Sequence, residues 1–284
     1  MSFDVGYVSI DTAIYYANLK ETGQELSKHP RNSFFLTAKI DPNIYGDGVD
    51  TTDNSYTYFY GAGGSEAKGT AYHAFTADNA YDWSMQELNA NLRDLQTTFV
   101  DLMLMHWPPS DGNCQVIRET WRAMEDFHEA GKARAIGVSN FCPSSLDCLL
   151  KTAKVVPAVN QVSYHVGIVG GPDPGTGIKS YCEAHGIVLQ AYSPLAVGTP
   201  GAAATLINGE LVTEIGKAHG KTGPQVALRW VWQHGVPLAT RSTSRRHLAQ
   251  NRDLFGWELS EEEMARLDTA NEPTADYSFM CKKR

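Results

Sequence analysis

Seven short runs of β-branched and apolar residues, set apart by stretches of helical periodicity, constrain this chain more than any other feature. They are VSI (8–10), FFLTAKI (34–40), VDLMLMH (100–106), ARAIGVS (133–139), VVPAVNQVSY (155–164), IVLQAYS (187–193) and VPLATRS (236–242). In the intervening QVIRETWRAMEDFHEAGK, Ile117, Trp121, Met124 and Phe127 recur at helical spacing, and Gly131 supplies a stop. Strands alternating with helices are expected to form a parallel sheet.

Each run ends in polar or reactive residues: Asp11, Lys39, His106, Ser139 with Asn140, Gln161, Tyr192 with Ser193, and Arg241 with Ser242. In a (β/α) barrel the strand C-termini meet around one pocket, whereas a doubly wound sheet would not gather all seven as well. The expected fold class is therefore α/β, a (β/α)8 TIM barrel. Seven strands are one short of closure, and the chain opens almost directly on VSI. A start that is truncated or misassigned, or a neighbouring segment filling the gap, is expected, because open sheet edges are an aggregation hazard.

A chain of 284 residues suits one barrel domain spanning 1–284, since such barrels commonly reach about 250 residues and no linker divides this one. Residues 41–83 form a long Gly-, Tyr-, Asp- and Thr-rich insertion after the Lys39 strand. It reads as a surface loop, with a lid lined by Tyr56, Tyr58 and Tyr60 as the second reading.

Net charge is -8, with scattered cations, which offers no overall footprint for nucleic acid or an anionic membrane. Five cysteines, an odd number without CxxC or Cys/His ligand spacing, argue against a disulfide framework or zinc site and for a reducing compartment. The N-terminus lacks a signal-peptide pattern, and no apolar run reaches the roughly 18 residues of a membrane span. A cytoplasmic protein without a metal is expected. GAGGSE (61–66) lacks the last glycine of a dinucleotide fingerprint, and GKAHGKT (216–222) is one residue short of a P-loop.

Asp11, Tyr16, Lys39 and His106 together make a proton donor suited to carbonyl reduction. A tyrosine hydroxyl titrates near 10 and is a poor acid at neutral pH unless tuned. Lys39 beside Tyr16 would favour the phenolate, Asp11 would hold Lys39, and His106 would orient a carbonyl oxygen. Singly, each has a plain structural explanation: a helix cap, a half-buried tyrosine, a solvated strand end and a packing histidine. Their common placement in register with the strand ends is what favours one site.

The segments IDTAIYYANLKETGQEL, DLMLMHWP, AGKARAIGVSNF, NQVSYH, LQAYSPLA and RRHLAQNRDLFGWELSEEEMARLD, in this order, resemble the aldo-keto reductases. The resemblance runs from about Gly6 to about Asp268, outside the insertion. It implies a (β/α)8 barrel that binds NADPH (NADP) and reduces aldehydes and ketones without a metal, with Asp11, Tyr16, Lys39 and His106 as catalytic tetrad. It further implies nicotinamide contacts from Ser139, Asn140 and Gln161, stacking by Tyr192, and pyrophosphate contacts from Ser193 and Leu195. Arg241, Ser242, Thr243, Gln250 and Asn251 fall at the 2'-phosphate and adenine positions, and Trp107 at an aromatic wall for substrate. Against the family pattern, Leu19 stands for Glu, Arg241 for Lys and His247 for Arg, and the N-terminal hairpin and first strand are missing.

The expected partner is a small-molecule carbonyl substrate, not nucleic acid or membrane, acted on by a monomer. Two other readings stay open: a catalytically impaired nucleotide-binding or interaction protein with an incomplete barrel, and a reductase domain serving as an oligomeric subunit.

Overall fold

The computed structural model describes residues 2–42, 75–109, 111–168, 171–196 and 202–271. These fall into two compact units, one of Val8–Ala158 and one made of the first seven residues and the chain from Val159 onward.

In the first unit, β1 (Ser9–Asp11), β2 (Phe35–Ile40), β3 (Val100–Met105) and β4 (Ala133–Ser139) lie side by side in that order, all parallel. Helices α1 (Leu19–Leu26), α2 (Ala80–Asp94) and α3 (Cys114–Glu129) connect them, and α4 (Pro143–Leu150) follows β4. Every residue of β3 is buried, the near-continuous apolar run of a parallel strand covered on both faces. Asp101, its one charged residue, is held between Arg31 at 2.6 Å and Arg134 at 2.8 Å and accepts the Leu36 N–H at 2.9 Å. These ion pairs close the N-terminal ends of the strands and leave the C-terminal ends for other work.

The helices follow from local chemistry. Asn113 caps α3 by accepting from the N–H groups of Gln115 and Val116, and Ile117, Trp121, Met124 and Phe127 form its buried stripe, as the spacing predicts. Gly131, at φ 72°, ends the connection where a left-handed turn favours glycine. Gly23 lets α1 approach α2: a Cβ there would lie 2.5 Å from the Asp94 carbonyl oxygen. Leu19, which stands where the resembling family has Glu, is a buried core residue at the start of α1.

Three expectations need correction, two of them in this unit. The stretch 41–83 is not loop to its end, because α2 begins at Ala80 and the buried Phe75 packs with Ala80, Val116 and Trp83. Aromatic and acidic residues in NAYDW mask the helical stripe that continues through Ser84, Leu88 and Asn91. Tyr56, Tyr58 and Tyr60 lie outside the described residues. The case against disulfides also fails: Cys114 at the start of α3 is bonded to Cys148 in α4, with Cα atoms 5.3 Å apart. Packing of α3 on α4 brings together residues 34 apart, which no spacing motif records. Cys142 and Cys182 are buried and take no part in a disulfide among the described residues.

In the second unit, β5 (Val159–Ser163) pairs in parallel with β6 (Val188–Tyr192). The helices are α5 (Pro174–Ala184), α6 (Ala202–Asn208), α7 (Glu210–His219), α8 (Gly223–Gln233), α9 (Arg245–Arg252) and α10 (Glu261–Asp268). The run VPLATRS forms one parallel bridge, Leu238 to Ala191, rather than a strand. Ala191 donates to the Pro237 carbonyl and accepts from the Ala239 N–H, both at 2.8 Å, and Pro237 has no N–H to extend the ladder. Within this unit Trp230 of α8 stacks on Tyr164 and donates to Asp268 of α10 at 2.8 Å. No helix among the described residues is long and apolar enough to cross a membrane.

Candidate active site

The parallel register sets the first side chains. Asp11 pairs with Thr37 and Lys39 with Leu104, so the ends of β1, β2 and β3 present Asp11, Lys39 and the following His106 on one edge of the sheet. Lys39 is 0% exposed, and its ammonium is ion-paired with Asp11 and donates to the Thr12 carbonyl at 3.1 Å. A buried ammonium without such partners would cost several kcal/mol; this one is held by a carboxylate and a carbonyl oxygen.

Tyr16 sits on the short turn Ile14–Tyr16 that follows β1. Its ring lies 5.2 Å from Lys39 Nζ and meets the His106 ring edge-on at 5.7 Å. At 43% exposed it is the most open member of the set; Asp11 is partly exposed, and Lys39 and His106 are buried. Ala17 takes φ 52° to end the turn, which fixes where Tyr16 points.

His106 is 8% exposed, and its backbone N–H donates to Ile40 at 2.8 Å, which locks β3 to β2 at this level. Burial, and after it the positive charge of Lys39, hold the imidazole well below its usual range, so the ring is neutral near pH 7. Nδ1 is buried without a hydrogen-bond partner and stands 3.9 Å from Asp41 Oδ2. The half-buried Trp107 ring is 6.3 Å from His106, and Tyr15 approaches it edge-on at 6.1 Å.

Ser139 and Asn140 come to the same edge at the end of β4. Both are 1% exposed; Asn140 is left-handed at φ 62°, and its Nδ2 donates to the His106 carbonyl at 2.9 Å and to Ser139 Oγ at 3.1 Å. The first unit thus gathers Asp11, Tyr16, Lys39, His106, Trp107, Ser139 and Asn140.

The second unit holds the remaining candidates in two places. Gln161 on β5 is buried and donates to Gln190 of β6 at 2.8 Å, while Tyr192 ends β6, and a turn from Ser193 (φ 47°) to Ala196 carries Leu195. Further along, Arg241 and Thr243 are exposed, and Ser242 accepts the Ser244 N–H at 3.1 Å. Gln250 is half-buried and Asn251 buried, with its Nδ2 donating to Thr240 Oγ1 at 3.3 Å. Arg245 and Arg246, in the first turn of α9, are exposed as well.

Sequence reading missed Tyr15, Asp41 and Glu87. Asp41 directly follows the Lys39 strand and was assigned to the insertion, although an acid two residues past a buried lysine is a visible signal. Glu87 falls in the buried stripe of α2, where an acidic residue is out of place. Among the described residues no cluster of His, Cys, Asp and Glu suits a metal ion.

The family model described as Aldo/keto reductase family matches residues 1–272. Glyoxal reductase of Bacillus subtilis is 33% identical over 268 residues, which cover 94% of this chain and 79% of the relative. Among solved structures, an aldo-keto reductase from a deep-sea metagenome library has TM-score 0.75 at 29% identity, over 95% of this chain and 84% of that one. An aldo-keto reductase solved with NADPH has TM-score 0.72 at 27% identity, over 95% and 76%. These likenesses give the chain the (β/α)8 barrel-type fold expected from its strand ends.

Proposed function

We propose, from the premise that the chain belongs to the aldo/keto reductase family of oxidoreductases, that it reduces aldehydes or ketones to alcohols with NADPH, Tyr16 acting as general acid. The observation that carries this reading is the buried Lys39, ion-paired with Asp11 and 5.2 Å from the exposed Tyr16 ring.

When bound, NADPH supplies the hydride that reduces the carbonyl carbon. The charge that develops on the carbonyl oxygen must then be met by a proton and by fixed donors. Tyr16 is the open group and donates that proton; the Lys39 ammonium stabilises the phenolate left behind, and Asp11 keeps Lys39 in place. His106 hydrogen-bonds the oxygen and orients it. Trp107, with Tyr15 beside His106, supports substrates with an apolar or aromatic part.

The residues suit the cofactor. Ser139, Asn140 and Gln161 bring hydroxyl and amide groups that match a carboxamide, and Tyr192 offers a ring for stacking. Ser193 and Leu195 stand at a tight turn that would face a pyrophosphate. The exposed guanidinium groups of Arg241, Arg245 and Arg246, with Ser242, Thr243, Gln250 and Asn251 in the same segment, suit the 2'-phosphate and adenine. This reading takes 1–284 as one catalytic domain acting as a monomer in the cytoplasm. The Cys114–Cys148 bridge pulls against that compartment, since disulfides are rare where thiols are kept reduced.

The test is NADPH oxidation by the purified chain with a reactive aromatic aldehyde, with NADH as comparison. Turnover with preference for NADPH is expected. A folded chain that binds NADPH yet reduces nothing would favour the catalytically impaired binding protein instead.

A further inference from the structure

Asp41 lies outside the tetrad, yet it faces one of its members. It is 1% exposed, and its Oδ2 is 3.9 Å from His106 Nδ1, the buried nitrogen without a hydrogen-bond partner. The backbone clamps both residues. His106 donates its N–H to Ile40, and Asp41 donates its own to Glu87 Oε2 at 2.9 Å. Asn91, one turn along α2, donates to the Glu87 carbonyl at 3.0 Å and to the Lys39 carbonyl at 3.4 Å, so α2 is tied to the end of β2.

A lone pair on Nδ1 pointing at a carboxylate is repelled, whereas an N–H there is attracted, and a change of somewhat under 1 Å would complete the hydrogen bond. Resting on the reading of His106 above, we propose that Asp41 is a positioning residue: it holds the imidazole by its inner edge and keeps a proton on Nδ1. Nε2 then carries a proton only when the ring is charged. Donation from Nε2 to a carbonyl oxygen is therefore confined to the molecules whose ring is charged, a fraction that Asp41 raises and that burial and Lys39 lower. No atom is gained or lost beyond this one proton.

The groups around the pair act in both directions. Burial and the Lys39 ammonium disfavour the charged ring. Asp11 is engaged by Lys39, and Tyr15 and Tyr16 present ring edges. Burial pushes the Glu87 carboxyl well above its usual range, which favours its neutral form beside Asp41.

Two-bond 1H–15N spectra of the histidine rings, recorded from pH 5 to pH 9 with His106→Gln to assign the signal, test this directly. The unsubstituted chain is expected to show the Nδ1–H form of neutral His106. Asp41→Asn is expected to switch it toward Nε2–H and to move the ring's titration to lower pH by about one unit. In assays, the fall of kcat with rising pH should move to lower pH by the same amount, with KM for NADPH unchanged. An Nε2–H ring in the unsubstituted chain, or a spectrum that Asp41→Asn leaves as it was, would overturn the inference. The first of these decides even if the variant does not fold. The spectra need neither substrate nor turnover, so their failure breaks only the role of Asp41, whereas a folded chain without turnover breaks the reductase reading.

Discussion

The C-terminal ends of β1–β4 and the segment 241–251 both carry charge, and they hold it in opposite ways. At the strand ends Lys39, Asp41 and His106 are enclosed and clamped by backbone and side-chain bonds. In 241–251, Arg241, Arg245 and Arg246 are exposed, Arg245 in an exposed ion pair with Asp4 at 3.5 Å, and the less exposed groups are the small ones, Ser242 and Asn251. Enclosed charge costs free energy unless it is paired, and its pairing preorganises it for chemistry. Exposed cations cost little and are screened by salt; they suit recognition of a phosphate rather than bond making. The side chains proposed for chemistry and those proposed for recognition are thus separated by burial as well as by sequence.

Breaking the enclosed set should have the largest effect. Lys39→Met removes the cation beneath Tyr16 and leaves Asp11 without its partner. We expect kcat to fall by about a hundredfold or more, with KM for NADPH little changed. A variant that folds and keeps more than about a tenth of kcat would show that enclosure of Lys39 is structural only.

The Cys114–Cys148 bridge belongs to the same unit but not to the same task. Reducing it, or making Cys114→Ser with Cys148→Ser, should cost ~2–4 kcal/mol and lower Tm by several degrees, because the closed loop is long. Turnover below the melting transition should stay within about twofold. A large fall in kcat without a change in Tm would tie the bridge to the site.

On the exposed side, Arg241→Ala should raise KM for NADPH by about tenfold and leave KM for NADH and kcat unchanged, with the difference shrinking at high salt. Equal effects on both cofactors would remove Arg241 from any phosphate site.

The smallest effect is conditional on pH. Burial raises the Glu87 carboxyl well above its ordinary value of 4.5, so above that pH the unfolded chain has lost a proton that the folded chain retains. Stability contributed by this group is therefore lost as pH rises from 4.5 toward the folded value. Glu87→Gln keeps an acceptor for the Asp41 N–H and has no proton to lose. Its Tm relative to the parent should climb between pH 5 and pH 8; a constant difference would show that Glu87 is ionised in both states.

The strand ends were legible because chemistry and periodicity coincide there. Apolar runs that stop at Asp11, Lys39, His106 and Ser139 announce both the parallel sheet and the polar edge at its C-terminal end. Less legible were features that depend on what packs against what. Leu238 makes a bridge where a strand was expected because Pro237 lacks a donor. Cys114 meets Cys148 because α3 lies on α4, and Glu87 acts on Asp41 only because α2 covers the end of β2. Each such meeting joins residues separated by a helix or more, and local pattern does not carry it.

The central claim is that the buried Lys39, paired with Asp11, serves Tyr16 in carbonyl reduction. It is tested most directly by single-turnover oxidation of bound NADPH with an aromatic aldehyde, comparing the parent, Tyr16→Phe and Tyr15→Phe, with NADPH binding measured separately. The account predicts that Tyr16→Phe binds NADPH normally but loses the oxidation step by about a hundredfold or more, while Tyr15→Phe stays within a few-fold of the parent. Parent-like single-turnover rates in Tyr16→Phe would contradict it.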